Sequence, residues 1–293
     1  GRDKNTGAKI AIKEFFPQKL ASRQSDKRGV YCSSRGFGGQ YQELLASFLV
    51  EGEVLSGLSH PHIITYIDHF EENDTGYLIT EYCSGMMLNE YLQENDHALD
   101  PEFIQGTLLP LVDTLDYIHK QGILHRDVKP SNIMIMEDGT PKLLDFGSAA
   151  RWPMQSGDKQ AIFTSSGYSP LEFYSEKSSQ GPMSDIYSLS ALLHYWTCGQ
   201  PPLDVKKRLF QDELPSVRSH NTYVNPWLAR VIHWGLTVRS EKRCASLAWV
   251  RRSLRVQALM WKLRKPGTLE WTLAENEHTQ VYDLETGKKH ETA

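Results

Sequence analysis

The chain has 293 residues, enough for one large domain or two packed lobes. Its 40% hydrophobic and 23% charged residues are those of a folded globular protein, which excludes disordered, collagen-like and disulfide-scaffold classes. A formal net charge of -4, with Lys and Arg scattered or in short runs such as Lys206-Lys207-Arg208, leaves no footprint for nucleic acid.

Cys32, Cys83, Cys198 and Cys244 include no C-x-x-C pair, so neither a zinc site nor a redox motif is indicated. Isolated cysteines suit a reducing, cytoplasmic setting. No apolar run reaches the roughly 18–20 residues of a spanning helix, and no signal peptide is visible.

In chain order, Lys9 to Phe16 reads as a strand closed by Pro17. Residues 18–39 are polar and glycine-rich and read as a long loop or insertion. Gln40 to Leu58 has helical spacing at Leu44, Phe48, Glu51 and Leu55, and His60-Pro61 ends it. Ile63–Phe70 and Tyr77–Tyr82 read as strands joined by a turn over 72–76. Asp100-Pro101 is an N-cap followed by an N1 proline. Ile104, Leu108, Val112, Leu115 and Ile118 then line one helical face, with Pro110 expected to kink the helix and Gly122 to cap it. Ile133–Met136 and Lys142–Leu144 read as short strands, and 148–182 as a long irregular loop. Further helices are expected near 184–198, 226–237 and 246–262. Leu269, Trp271 and Leu273, then Val281, Tyr282 and Leu284, alternate as in a hairpin or a piece of a further domain. Strands thus dominate the first third and helices the rest, which suggests a cleft between two lobes.

Charged motifs are strung along this framework. Ala11-Ile12-Lys13 ends a strand. Glu51 lies nine residues before His60, and Glu53 competes with it, about 200° away around the helix. His125-Arg126-Asp127-Val128-Lys129-Pro130-Ser131-Asn132 is the strongest signal in the chain. Asp145-Phe146-Gly147 follows Asn132 by thirteen residues.

Together these resemble the motifs of eukaryotic-type (Hanks-type) serine/threonine protein kinases over about residues 2–254. Ala-Ile-Lys-Glu-Phe-Phe-Pro and Tyr-Ser-Pro-Leu-Glu-Phe-Tyr resemble the bacterial branch in particular. The resemblance implies an α+β fold of two lobes, a small antiparallel β lobe and a larger mainly helical one. Residues 1–80 would form the N-lobe, 81–85 the hinge, 86–256 the C-lobe and 257–293 a tail of unknown role.

It also implies the chemistry. Phosphoryl transfer asks for positioning and charge neutralisation more than for covalent chemistry. Lys13 would grip the α- and β-phosphates of ATP, held by Glu51. Asp127 would take the proton of a protein Ser/Thr hydroxyl, and Lys129 would neutralise the γ-phosphate. Asn132 and Asp145 would bind Mg²⁺. Glu81 C=O and Cys83 N–H would meet adenine, with Met134 as its floor and Thr80 as gatekeeper. Phe146 would pack under the Glu51 helix. Glu172 would pair with Arg243, Asp185 would anchor the catalytic loop, and Ser165 would touch Asp127 and Lys129. Arg126 before Asp127 goes with control by phosphorylation, with Thr164, Ser165 and Ser166 as candidate sites.

The pattern departs from the family before Lys13. Only twelve residues precede it and they hold no G-x-G-x-x-G loop. Arg35-Gly36-Phe37-Gly38-Gly39 stands on the wrong side of Lys13 and reads as an insertion loop. The chain is therefore expected to be a fragment lacking two strands, with an unpaired edge and an uncovered apolar face at the Lys13 strand. It is expected to bind ATP more weakly, and to aggregate more readily, than a form extended upstream. A pseudokinase scaffold and a kinase-like small-molecule phosphotransferase are the competing readings.

Overall fold

Alternating apolar residues at Ile10 and Ile12 form strand β1 (Ile10–Glu14), which runs antiparallel to β5 (Thr75–Glu81), itself paired with β4 (Tyr66–Glu72). The strand order is β1-β5-β4. This computed structural model describes residues 1–33, 36–95, 100–153 and 162–263. Arg35 and the alternating residues of the tail lie outside them.

Asn73 and Asp74 both take positive φ and turn β4 into β5 within two residues. The N-terminal residues fold back, so that Gly1 and Ile10 exchange backbone hydrogen bonds and Arg2 pairs with Lys9. Beyond them Ile12 is half exposed on the sheet edge.

Helix α1 (Gly38–Ser56) lies across this sheet and buries Tyr41, Leu45, Val54 and Leu55. A Cβ on Gly52 would collide with the His69 ring, so the glycine lets helix and β4 touch. Residues 18–39 are more than a loop. Ala21–Arg23 (β2) and Val30–Cys32 (β3) form a small hairpin. Arg23 pairs with Glu14 on β1, and Val30 N–H donates to Asn73 O. Each strand has three residues, too few for a periodicity to show, and tertiary partners hold them.

Two further elements extend the expected pattern after Ser84, β6 (Gly85–Met87) and α2 (Leu88–Glu94). β6 joins β8 (Ile133–Met136) and β9 (Pro141–Leu143) in a second three-stranded sheet. Asp100 accepts Phe103 N–H at 2.6 Å, capping α3 (Pro101–Phe103). Before Pro110, the expected place of a kink, the helix holds a π-helical turn over Ile104–Leu108, which leads into α4 (Leu109–Lys120). The apolar face from Ile104 to Ile118 is buried as its spacing predicts. β7 (Ile123–Leu124) pairs with β10 (Ala150–Arg151), which brings the two loops that follow and precede them side by side.

Helix α5 (Pro182–Cys198) is buried on all sides from Ser184 to Thr197 and forms the centre of the helical lobe. Gly199 ends it with φ 76°. Short helices α6 (Val205–Arg208) and α7 (Val217–His220) lead to α8 (Pro226–Gly235) and α9 (Leu247–Lys262). Trp196 of α5 packs on Phe103 and Trp261, with ring centroids 6.1 and 5.9 Å away.

His194 is buried on α5. Its Nδ1–H donates to Gln200 O at 3.0 Å, and Nε2 has no partner among the described residues. Burial pushes the imidazole pKa down from 6.5 to about 4. The unfolded chain therefore takes up a proton first as pH falls. Stability contributed above pH 6.5 is lost progressively down to about pH 4, at about 1.4 kcal/mol per pH unit. Urea titrations at pH 7 and 5 should show this loss, and His194→Gln should flatten it.

Candidate active site

The face of β1 that looks into the cleft presents Lys13, opposite Leu78 of β5. Its Nζ lies 3.1 and 2.8 Å from the two Glu51 oxygens and 3.1 Å from Asp145 Oδ1. Glu51 is buried, whereas Glu53 is exposed. Only one of the two can face Lys13, and it is Glu51. Burial pushes the Glu51 carboxyl up, against the pull of Lys13. For Lys13 burial acts downwards, but the charges of Glu51 and Asp145 prevail and raise it. For Asp145 burial acts upwards, and Lys13 prevails and lowers it.

The His125–Asn132 segment is built on Asp185, which α5 holds fully buried. Asp185 Oδ2 accepts His125 N–H at 2.9 Å and lies 2.8 Å from His119 Nε2; Oδ1 accepts Arg126 N–H at 2.8 Å. These bonds hold Arg126 at φ 67°, a conformation costly for a non-glycine residue. His125 accepts Asp127 N–H on Nδ1 and donates from Nε2 to Leu144 O, which fixes its tautomer and ties the two loops together. Phe146 is buried in the same core as Leu55 of α1 and meets the His125 ring edge-on at 4.7 Å. Gly147 stands where a Cβ would press on Glu51 and Asp145, each 3.2 Å away.

Asp127 is surrounded by donors. Ser165 Oγ–H donates to Oδ1 at 2.8 Å, and Oδ2 accepts Asn132 Nδ2 at 2.7 Å and Lys129 Nζ at 2.8 Å. Lys129 also donates to Ser165 Oγ at 2.9 Å. Asn132 Nδ2 is held by Asp127 O as well, so its amide oxygen is turned away from that loop. Asn132 and Asp145 therefore offer hard oxygen donors, and the chemistry of the pair fits Mg²⁺.

Outside the reacting centre, Arg243 grips Glu172 bidentately at 2.6 and 3.2 Å. Arg126 Nη1 donates to Ser148 O, and its guanidinium lies over the Phe173 ring. Ser166 Oγ donates to Asp204, and Thr164 is exposed. Thr80 is buried and its hydroxyl donates to Glu81 O at 3.3 Å. Cys83 is half-buried, and burial raises its thiol pKa. Met134 lies across the β8–β9 ladder from Lys142.

Lys142 and Thr65 escaped the sequence reading. Both hold the Glu81 side chain, Lys142 from β9 at 2.7 Å and Thr65 through its N–H and its hydroxyl, each at 2.7 Å. Lys142 stands 61 residues from Glu81 in sequence, and no local pattern marks so distant a pair. A cavity of about 830 Å³ opens beside Ser84, Met86, Tyr91 and Ile135; its walls include none of Lys13, Asp127 or Asp145.

A two-lobed α+β fold with this constellation in its cleft is that of the protein kinases. The chain belongs to that family: the protein kinase domain model matches residues 1–253. It is 29% identical over 198 residues to the probable serine/threonine-protein kinase PknB of Lactococcus lactis, covering 64% of this chain and 31% of that protein. Over 207 residues it is 30% identical to the maternal embryonic leucine zipper kinase of Danio rerio, covering 70% of this chain and 27% of the relative. The chain thus spans roughly a third of the length of these curated relatives. Among solved structures it is similar to the PpkA-294 apo form, with TM-score 0.72, 32% identity and coverage of 84% of this chain and 86% of that one. No helix among the described residues is long and apolar enough to cross a membrane.

Proposed function

We propose that this chain is the catalytic part of a bacterial protein serine/threonine kinase, which transfers the ATP γ-phosphoryl group to Ser/Thr hydroxyls of protein substrates. The observation that carries the reading is the Asp127–Lys129–Ser165 triangle. A serine hydroxyl of the chain itself sits 2.8 Å from the Asp127 carboxylate and 2.9 Å from the Lys129 ammonium. An incoming Ser/Thr hydroxyl needs the same two neighbours, a carboxylate for its proton and a cation for the phosphoryl group it attacks.

In this reading Lys13 binds the α- and β-phosphates, and Glu51 keeps its ammonium from turning away. Bound Mg²⁺ supplies charge neutralisation at the phosphates, and Asn132 and Asp145 are the residues that would hold it. The Glu81 carbonyl and the Cys83 N–H receive the adenine edge, and Met134 lies beneath it. Asp127 orients the substrate hydroxyl and takes its proton as the oxygen bonds to the γ-phosphorus and the bond to the ADP oxygen breaks. Lys129 stabilises the charge on the transferring group.

The test is incubation of the 293-residue chain with labelled ATP, Mg²⁺ and a general acceptor such as casein, followed by analysis of the phosphorylated amino acids. Label on serine and threonine, and none on tyrosine, is the expected result. Label absent from protein, or found on phosphotyrosine, would overturn the proposal.

A further inference from the structure

We infer that Lys142 is a positioning residue for the nucleotide: through the Glu81 carboxylate it fixes the first hinge carbonyl in register with the Asp145 segment. The inference rests on the ATP reading above and adds residues to it that the kinase motifs leave out.

Three donors converge on one oxygen. Glu81 Oε1 accepts Lys142 Nζ, Thr65 N–H and Thr65 Oγ1–H, each at 2.7 Å. The Glu81 N–H in turn donates to Thr65 O at 2.9 Å. Glu81 is thereby held at both its backbone and its side chain, and little torsional freedom is left to its carbonyl. The Thr80 hydroxyl donates to that carbonyl at 3.3 Å.

Lys142 carries the constraint to the catalytic strand. It stands on β9, opposite Met134 in the ladder and three residues before Asp145. Its ammonium also donates to Ile63 O at 3.3 Å. The same connector grips β9 by backbone bonds, Leu143 N–H to His62 O at 2.8 Å and Ile64 N–H to Leu143 O at 3.1 Å. Residues 62–65, the start of the hinge and the strand leading to Asp145 therefore form one knot. Lys142 is the cation at its centre.

An exposed ion pair would hold nothing so firmly. Here the Lys142 side chain is only 12% exposed and Glu81 30%. Burial acts to raise the Glu81 carboxyl, yet the bonds from Lys142 and Thr65 keep it below its ordinary value. Removal of Lys142 would leave the carboxylate short of its strongest donor, and the hinge would relax to find water.

The test separates the two ends of the nucleotide. Adenosine and inorganic triphosphate serve as probes, with binding to the full 293-residue chain measured by calorimetry. Lys142→Met should weaken adenosine about tenfold, the loss expected for one hydrogen bond to a charged group. Triphosphate affinity should stay within twofold. Lys142→Arg, which keeps the cation, should restore most of the adenosine affinity. Thr65→Val removes one donor with little change of shape and should cost about threefold; it keeps the test open where Lys142→Met does not fold.

Equal adenosine binding by the parent chain and by Lys142→Met or Thr65→Val overturns the inference. So does a parallel loss of triphosphate, which would report general loosening, and so does a parent chain that binds no adenosine. The two proposals fail separately. A parent that binds adenosine as described but transfers no phosphate leaves the positioning role standing and removes the kinase reading. A parent that transfers phosphate while its Lys142→Met form binds adenosine normally does the reverse.

Discussion

Replacement of Asp127 by asparagine is expected to lower the phosphoryl-transfer rate about a thousandfold, the middle of the range for loss of a positioned general base. The side chains are of one size, and the amide can be accommodated. With its oxygen in the place of Oδ2 it still accepts from Asn132 and Lys129, and its nitrogen then faces the Ser165 hydroxyl, which can accept as well as donate. What disappears is the negative charge and the ability to take a proton. The groups proposed to bind ATP, Lys13 and the hinge, lie elsewhere, so the loss should fall on kcat and leave KM for ATP within a factor of about three. Single-turnover transfer from labelled ATP measures the first quantity, and thermal unfolding checks that the fold is kept. A variant that retained a tenth of the parent rate would show that another group takes the proton.

The parts of this site that could be read from sequence are those for which chemistry restricts both residue type and spacing. His125 to Asn132 and Asp145 to Gly147 are short runs in which His125, Arg126, Asp127, Lys129, Asn132 and Asp145 all take part in hydrogen bonds or ion pairs. Lys13 alone carried little information. It gained meaning from Glu51, whose place before His60-Pro61 resembles that of the family's helix glutamate; helical geometry lets only one of Glu51 and Glu53 face Lys13, and the structure has Glu51 buried against it. The β2–β3 hairpin was not legible, because its strands are three residues long and held by Glu14 and Asn73 from other elements. β6 was missed for a similar reason: Gly85-Met86-Met87 has no strand signature, and its pairing with β8 makes it one. Pro110 marks an irregular place in the helix, but the π-helical turn that precedes it depends on how the chain packs on either side. The expected hinge segment shows the same division. The run Glu81-Tyr82-Cys83 stands in the sequence, while the grip of Lys142 and Thr65 on Glu81 exists only in three dimensions.

The largest effect on stability is expected from Arg243→Met. The Arg243 side chain is fully buried and Glu172 nearly so. Its guanidinium donates to both Glu172 oxygens and to the carbonyls of Thr237, Met183 and Val238. Ser184 Oγ–H donates to the same carboxylate at 2.8 Å and cannot neutralise it. Methionine fills much of the volume, so packing is not the main loss. The variant instead strands a buried carboxylate together with three carbonyls, at a cost of about 3–5 kcal/mol. In a domain of this size that corresponds to a fall of about 10 °C in Tm. The size of the effect belongs to the stranded charge more than to the pair, and this can be checked. Glu172→Leu combined with Arg243→Met removes both charges and should be more stable than Arg243→Met alone. Urea denaturation of the parent, the single variant and the double variant gives the comparison. The turn over Leu171–Tyr174 carries Glu172, and Ser165 N–H donates to Ser169 Oγ just before it. Loss of Arg243 should therefore also loosen the segment that sets Ser165 against Asp127, and transfer activity should fall even at temperatures where the variant remains folded. A loss of less than about 1 kcal/mol, the worth of an exposed pair, would show that Glu172 and Arg243 do not clamp this segment to the helical lobe.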